Sequence, residues 1–406
     1  MGPDLRPPFA GLTGQKLSRM LRGVQTPCYV LDAAMLRRNG EILLGLQQRT
    51  GCRVLLAQKA FSNYDCYPLL APCLAGTEAS GLFEARLGSE EMPGKEVHVF
   101  CGAYREQEFS ELLRYADHIV FNSPRQLARF GPRAKAAGKS LGLRVNPEHS
   151  TQEGHAIYDP CAPGSRLGVA RARWEAEMAP ELTGLLDGLH FHTLCEQDAD
   201  ALESTLAAVE ERFGDLLAGM RWINFGGGHH ITRPEYDLPR LERCITRMQQ
   251  RYGLTVYLEP GEACALNAGY LVTEVLDLFQ SGETRIAILD ASAACHLPDV
   301  IEMPYRPPLF GEDPQEGGLV YRLGGPTCLA GDVVGDYRLP ALREGDRLIF
   351  GDMAIYTTCK NNTFNGMPLP AIYLMGEDGG LTRLASFGYD DFKYRLGSRG
   401  RQKPQR

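Results

Sequence analysis

The sequence has no apolar run long enough to cross a bilayer as a helix, which excludes a helical membrane span. Its twelve cysteines contain no Cys-x-x-Cys pair, so neither a zinc ribbon nor a thioredoxin-like redox motif is encoded. The first twenty residues lack a charged start followed by an apolar core, so no secretory signal is expected. The cysteines are therefore expected to be reduced thiols in a cytoplasm, most of them buried as small hydrophobes. Positive charge is in deficit. The 43 Lys and Arg against 50 Asp and Glu leave a net charge of −7, which argues against nucleic acid as a partner and leaves room for a cationic substrate. No internal repeat is present.

What is present is a chain of 406 residues, 44% apolar and 23% charged, long enough for two or three domains and a large core. From residue 52 to 259, short apolar runs alternate with helical patterns. The runs cover residues 52–57, 74–77, 97–101, 118–121, 141–145, 186–192, 222–225 and 256–258. Eight strand–helix repeats predict a (β/α)₈ barrel, with a doubly wound open sheet as the alternative. A polar, Pro- and Gly-rich stretch at 146–166 interrupts the rhythm and reads as a functional loop. Beyond about residue 265 the long helical patterns stop, and short strands separated by Gly, Pro and Asp turns follow. The expected α/β organisation is a barrel over 25–265 and a β-sandwich or β-barrel-like domain over 266–396, joined by 1–24. The basic tail at 397–406 is expected to be disordered.

Barrel enzymes carry their chemistry at the C-terminal ends of the strands. The first run ends in Lys59, the sixth carries His190 and His192, the seventh stops at Gly226-Gly227-Gly228-His229-His230, and the eighth at Glu259-Pro260-Gly261-Glu262. Taken singly, each has an ordinary reading. A lysine after a strand usually reaches solvent, a glycine triplet is usually a turn, and a histidine among apolar neighbours usually belongs to the core. Taken together they suit a phosphorylated aldehyde cofactor. Lys59 would form a Schiff base, and the glycine N–H groups would cradle a phosphate. His192 would stack on a flat ring, and Glu259 would keep a ring nitrogen protonated. That set describes pyridoxal 5′-phosphate. A metal site built from His190, His192, His229, His230 and Glu259 ranks lower, because it leaves Lys59 and the glycines unexplained.

At this point the chain resembles the alanine-racemase-like (fold type III) pyridoxal-phosphate decarboxylases, and within them the carboxynorspermidine/carboxyspermidine decarboxylases. The likeness runs from Thr26-Pro27-Cys28-Tyr29 to Phe387-Gly388-Tyr389-Asp390-Asp391-Phe392. It rests on Leu56-Ala57-Gln58-Lys59-Ala60-Phe61, His190-Phe191-His192-Thr193-Leu194-Cys195-Glu196, Asn224-Phe225-Gly226-Gly227-Gly228-His229-His230 and Leu258-Glu259-Pro260-Gly261-Glu262. Further pieces lie at 158–166, 295–302, 324–332 and 363–366.

The resemblance implies roles by position. Lys59, Cys328 and His192 would be catalytic, with Cys328 returning a proton to the substrate carbon from the other subunit of a homodimer. Tyr356 would bond the phosphate, and Arg166 and Glu78 would stand near the cofactor. Glu262, His296, Asp299, Glu302 and Asp332 would meet the amines of a polyamine substrate. Two positions depart from the wider pattern. Glu262 stands where many relatives have a phosphate-binding arginine, and Leu329 rather than an acid follows Cys328. The implied activity is decarboxylation of carboxynorspermidine or carboxyspermidine to norspermidine or spermidine. The alternatives are a decarboxylase for diaminopimelate, ornithine or arginine, a non-catalytic regulatory relative, and, lowest, a metal-dependent hydrolase.

Overall fold

The computed structural model describes residues 17, 19, 21–152, 159–312 and 317–399. The chain divides into two compact units, residues 36–264 and residues 1–35 with 265–406.

The first strand, β1 (Cys28–Asp32), is buried throughout. It belongs to the sheet unit, pairing antiparallel with Gly269–Ser281 and parallel with Ala371–Met375. The barrel unit accordingly starts at Leu36 and not at residue 25. The run Cys-Tyr-Val-Leu-Asp has the apolar continuity of a central strand in either unit, so periodicity alone does not assign it.

The barrel strands are β2 (Arg53–Ala57), β3 (Gly76–Ala79), β4 (Glu96–Phe100), β5 (His118–Phe121), β6 (Ser140–Arg144), β7 (Gly188–His190), β8 (Trp222–Asn224) and β9 (Thr255–Leu258). All pair in parallel in chain order, and β9 returns to β2 to close the ring. Buried parallel strands need apolar residues on both faces, and these runs supply them. At the N-terminal end of the barrel the Trp222 indole reaches across β6 and β7. A Cβ at Gly142 or Gly188 would lie 2.4 or 2.1 Å from its ring, so glycine at both positions makes the space. His98 and His118 stack beside it, with ring centroids 3.9 Å apart, and Tyr257 completes the layer.

The outer helices carry ordinary start and stop signals. In Leu238–Tyr252, the Asp237 side chain accepts from the Arg240 N–H, Pro239 stands in the first turn, and Gly253 at φ 70° ends the helix.

The sheet unit adds β10 (Gly269–Ser281), β11 (Thr284–Leu289), β12 (Leu319–Gly324), β13 (Val333–Leu339), β14 (Arg347–Gly351), β15 (Ala371–Met375) and β16 (Leu381–Ala385). Its strand order is β13-β12-β11-β10-β1-β15-β16, with β14 also on β10. This is one mixed sheet in which the long β10 is shared. Its first half pairs with β1 and β14, its second half with β11, and the register shifts between Val275 and Asp277. Cys28, Val30, Tyr270, Val272, Ile349 and Met375 form its core. Residues 1–16, 18, 20 and 400–406, and Tyr158 of the predicted loop, lie outside the described residues.

Candidate active site

Glu259 follows β9 and is buried to 6% exposure. Its Oε1 accepts from Asn224 Nδ2 at 2.6 Å, and its Oε2 lies 3.0 Å from His190 Nε2. Burial alone would raise its carboxyl, but the His190 contact and the charges of His98 and Lys59 outweigh it and hold the group below the usual range. His190, fully buried, is likewise lowered by its own desolvation, which favours the neutral ring. The pair is therefore a carboxylate receiving a proton donor from a neutral imidazole. Asn224 is fixed in turn, because its Oδ1 accepts from the Gly226 N–H at 2.8 Å.

The glycine triplet is shaped by backbone crowding. Added Cβ atoms at Gly226, Gly227 and Gly228 would stand 2.6, 2.3 and 2.1 Å from the carbonyl oxygens of Phe191, Glu259 and Leu194. Its amides are not all bare. Gly226 N–H donates to Asn224, and Gly227 N–H donates to His192 Nδ1 at 2.9 Å. The Gly228 N–H, and the His229 N–H after it, find no acceptor among the described residues. The phosphate cradle expected from three glycines thus narrows to Gly228 and its successor.

The bond from Gly227 also settles the state of His192. An Nδ1 that accepts cannot carry a proton, so the ring is neutral with its proton on Nε2. Burial, then the charges of Lys59 and Arg144, keep it well below the ordinary histidine range.

Lys59 lies just past β2 and is exposed. Its charge is felt by Glu78, His190, His192 and Glu259, which places it at the same rim. Glu78 on β3 is buried, and its Oε2 has no hydrogen-bond partner. Desolvation, then the charge of Glu259, push its carboxyl up to about 8.

Glu78 has a measurable consequence. A carboxyl whose folded value lies above its unfolded value of 4.5 binds a proton in the folded state that the unfolded chain has already lost. Its contribution is therefore favourable in acid and lost as pH rises toward 8, at about 1.4 kcal/mol per pH unit inside that window. In denaturant unfolding of the cofactor-free protein at pH 5.5–8, Glu78→Gln is expected to remove this downward slope. The buried histidines act in the same way in both proteins, so the difference between them isolates Glu78.

Arg144, at the end of β6, is a site residue the sequence reading passed over. It is 5% exposed, donates to the His192 carbonyl at 3.0 Å and lies over the Phe100 ring at 4.7 Å. Desolvation pushes it down to about 10, against the opposing pull of Glu259 and Glu78. The available signal was a lone arginine ending an otherwise apolar strand. Asn224 was missed for a similar reason, as a polar residue ending β8. Arg166 is exposed on the loop after β6, where its carbonyl accepts from Asn122 Nδ2.

Within the sheet unit, Cys328 is exposed on the turn between β12 and β13, and its N–H donates to Asn365 Oδ1 at 2.9 Å. Asp332 does not offer a free carboxylate. It accepts from Ser292 Oγ, Thr327 Oγ1 and the Ala294 and Thr327 amides, and so organises the turn that carries Cys328. His296 is also engaged. Its Nδ1 accepts from the Ser292 N–H and its Nε2 donates to the Pro368 carbonyl, in a site with no exposure. In this structure both side chains are engaged by bonds within the sheet unit. Asp299 and Glu302 share Lys360 as their cation, so an amine would have to displace it. Tyr356 has a left-handed backbone at φ 49°, a costly state for a non-glycine residue that recurs at functional loops.

A family model described as "Pyridoxal-dependent decarboxylase, C-terminal sheet domain" matches residues 28–354. The chain belongs to the pyridoxal-dependent decarboxylases. Its cofactor is pyridoxal 5′-phosphate. The chain is 43% identical over 380 residues to a carboxyaminopropylagmatine decarboxylase of Synechocystis sp., covering 93% of this chain and 97% of that protein. It is 40% identical to a carboxynorspermidine/carboxyspermidine decarboxylase of Campylobacter jejuni, covering 92% and 98%. A crystal structure of carboxynorspermidine decarboxylase complexed with norspermidine, also from Campylobacter jejuni, superposes with a TM-score of 0.83 at 39% identity, over 92% of this chain and all of that one. A diaminopimelate decarboxylase structure at 20% identity and TM-score 0.81 shares the fold.

The residues present suit the cofactor of this family. A held carboxylate faces the rim, two backbone N–H groups lack acceptors, a lysine is exposed beside them, and one buried carboxyl oxygen is unpaired. No helix among the described residues is long and apolar enough to cross a membrane.

Proposed function

We propose that this decarboxylase acts on a carboxylated polyamine, carboxynorspermidine or carboxyspermidine, and releases norspermidine or spermidine. The observation that carries the reading is the Glu259 carboxylate, fixed by His190 and Asn224 beside Lys59 and the glycine triplet. The likeness to relatives named for such substrates supports it along nearly the whole chain.

When bound, pyridoxal phosphate supplies an electron sink for the pair left behind as CO₂ departs. The chain's own groups do the rest. Lys59 Nζ would hold the cofactor covalently through its aldehyde. Glu259 would keep a proton on the ring nitrogen. His192, neutral and fixed by the Gly227 amide, would present its flat face to the ring. Gly228 would take the phosphate, the family resemblance gives Tyr356 a bond to it as well, and Arg166 and Glu78 would stand near the cofactor. The Cys328 thiol returns a proton to the carbon that lost CO₂, in a homodimer whose subunits exchange this residue. All twelve cysteines are free thiols, which suits a reducing cytoplasm.

The relative at 43% identity favours a second reading in which the far end of the substrate is a guanidinium group. CO₂ release from carboxynorspermidine, carboxyspermidine, carboxyaminopropylagmatine and meso-diaminopimelate tests both. At least one of the first three is expected to exceed diaminopimelate in kcat/KM by about a hundredfold or more, the scale of a missing charged contact. Preference for diaminopimelate would overturn the proposal.

A further inference from the structure

The buried Glu259 carboxylate is bonded by neutral donors although an arginine is close by. Asn224 Nδ2 and His190 Nε2 supply its two bonds. Arg144 is the register partner of His190 on the neighbouring strand β6. Of the charges that act on its guanidinium, that of Glu259 is the largest. An arginine and a carboxylate enclosed together readily close into a two-bond ion pair. Among the described residues, the one cationic type of group within ion-pair range of Glu259 is the His190 imidazole, and no arginine is.

Two contacts hold the guanidinium elsewhere. Nη2 donates to the His192 carbonyl at 3.0 Å, and Cζ lies over the Phe100 ring, 4.7 Å from its centroid. The negative face of an aromatic ring attracts a cation, most strongly where water is excluded. Arg144 is buried, so the contact is of the stronger kind.

The same ring has a second partner. Phe100 ends β4, and its ring stacks on that of His190 with centroids 5.5 Å and planes 17° apart. A phenylalanine at a strand end in a barrel is ordinarily filler for the core. This one touches both the cation that could neutralise Glu259 and the imidazole that bonds Glu259. The ring that holds the arginine is thus itself seated on the carboxylate's own donor.

We infer that Phe100 is a positioning residue for the ring-nitrogen contact, holding the Arg144 guanidinium off Glu259 by its aromatic face. This rests on the reading of Glu259 as the partner of the cofactor's ring nitrogen. The reason for keeping the arginine away is basicity. A guanidinium does not give up its proton, and a carboxylate paired with a cation holds a further proton less tightly. With neutral donors on both oxygens, Glu259 keeps its charge for the ring nitrogen.

The test changes the ring by degrees. Phe100→Tyr keeps the aromatic face. A trifluorinated phenylalanine at position 100 keeps the shape but drains the face of negative charge, and Phe100→Leu removes the face. Each protein is loaded with pyridoxal phosphate carrying ¹⁵N at the ring nitrogen, whose resonance reports its protonation. Phe100→Tyr is expected to match wild type. The fluorinated and leucine proteins are expected to move the resonance toward that of an unprotonated nitrogen and to lose about tenfold in kcat, with KM within about twofold, the scale of one buried cation–ring contact. Adding Arg144→Met to Phe100→Leu is expected to return the resonance to its wild-type position, because no cation is left to pair with Glu259. Should Phe100→Leu fail to fold, the fluorinated protein decides alone. A resonance unmoved in the fluorinated protein, or a shift that persists after Arg144→Met, overturns the inference and leaves Phe100 as packing. An unprotonated ring nitrogen in wild type overturns the reading of Glu259 along with it.

Discussion

Glu259→Gln is expected to lower kcat by two to three orders of magnitude while the protein stays folded and retains its cofactor. The substitution removes a charge with little change of shape, and the surroundings show why the shape survives. Glu259 accepts from Asn224 Nδ2 and from His190 Nε2. A glutamine keeps one oxygen and gains an NH₂, so one of the two donors would meet another donor. Asn224 cannot turn over to help, because its Oδ1 is held by the Gly226 N–H. His190 can, because its Nδ1 is buried without a partner and can take the proton, leaving Nε2 to accept. The amide oxygen then faces Asn224 and its NH₂ faces His190. What is lost is the anion, and a preorganised charge contact of this kind is worth about 3–4 kcal/mol of barrier. Single-turnover rates with the cofactor absorbance as loading control check the result. A variant within tenfold of wild type in kcat would mean that the carboxylate serves the fold and not the chemistry.

The same pair of residues shows where the sequence was legible and where it was not. Strand ends can be read from a chain, because an apolar run that stops in glycine or a carboxylate marks the rim of a parallel barrel. Lys59, His192, the glycines and Glu259 were found that way, and the eight-strand count came with them. What cannot be read is how many of a residue's bonds its neighbours already use. Three glycines read as three free amides, but Asn224 and His192 take two of them. Asp332 and His296 read as substrate contacts because they sit in motifs, yet each is fully engaged inside the sheet unit. Glu196 was quoted in a motif and given no role, and His230 entered only the lower-ranked metal reading, because their approach to each other joins loops far apart in sequence. β1 was misplaced for the related reason that pairing partners more than two hundred residues away leave no local trace.

Gly228→Ala is expected to cost roughly 2–5 kcal/mol of stability and to weaken cofactor retention with it. Two separate penalties add. At φ 82° the backbone is left-handed, and a side chain there costs about 1–2 kcal/mol. The new methyl would also lie 2.1 Å from the Leu194 carbonyl oxygen, an approach no rotamer can relieve, because a Cβ has none. The Leu194 backbone would have to move, and it leads directly into Glu196 and the Gln197 bridges that hold the loop after β7 to the loop after β8. Gly253 is the matched control. It has a φ of 70° but nothing within 4 Å of its absent Cβ, so Gly253→Ala carries only the left-handed cost of about 1–2 kcal/mol. Denaturant unfolding of the two variants, with cofactor occupancy measured after gel filtration, separates the terms. If Gly228→Ala costs no more than Gly253→Ala and holds its cofactor, the crowding is relieved by small loop shifts, and the triplet is conformational rather than a fitted cradle. If the larger loss is found, the close approach of the two loops is what aims the Gly228 and His229 amides at the phosphate.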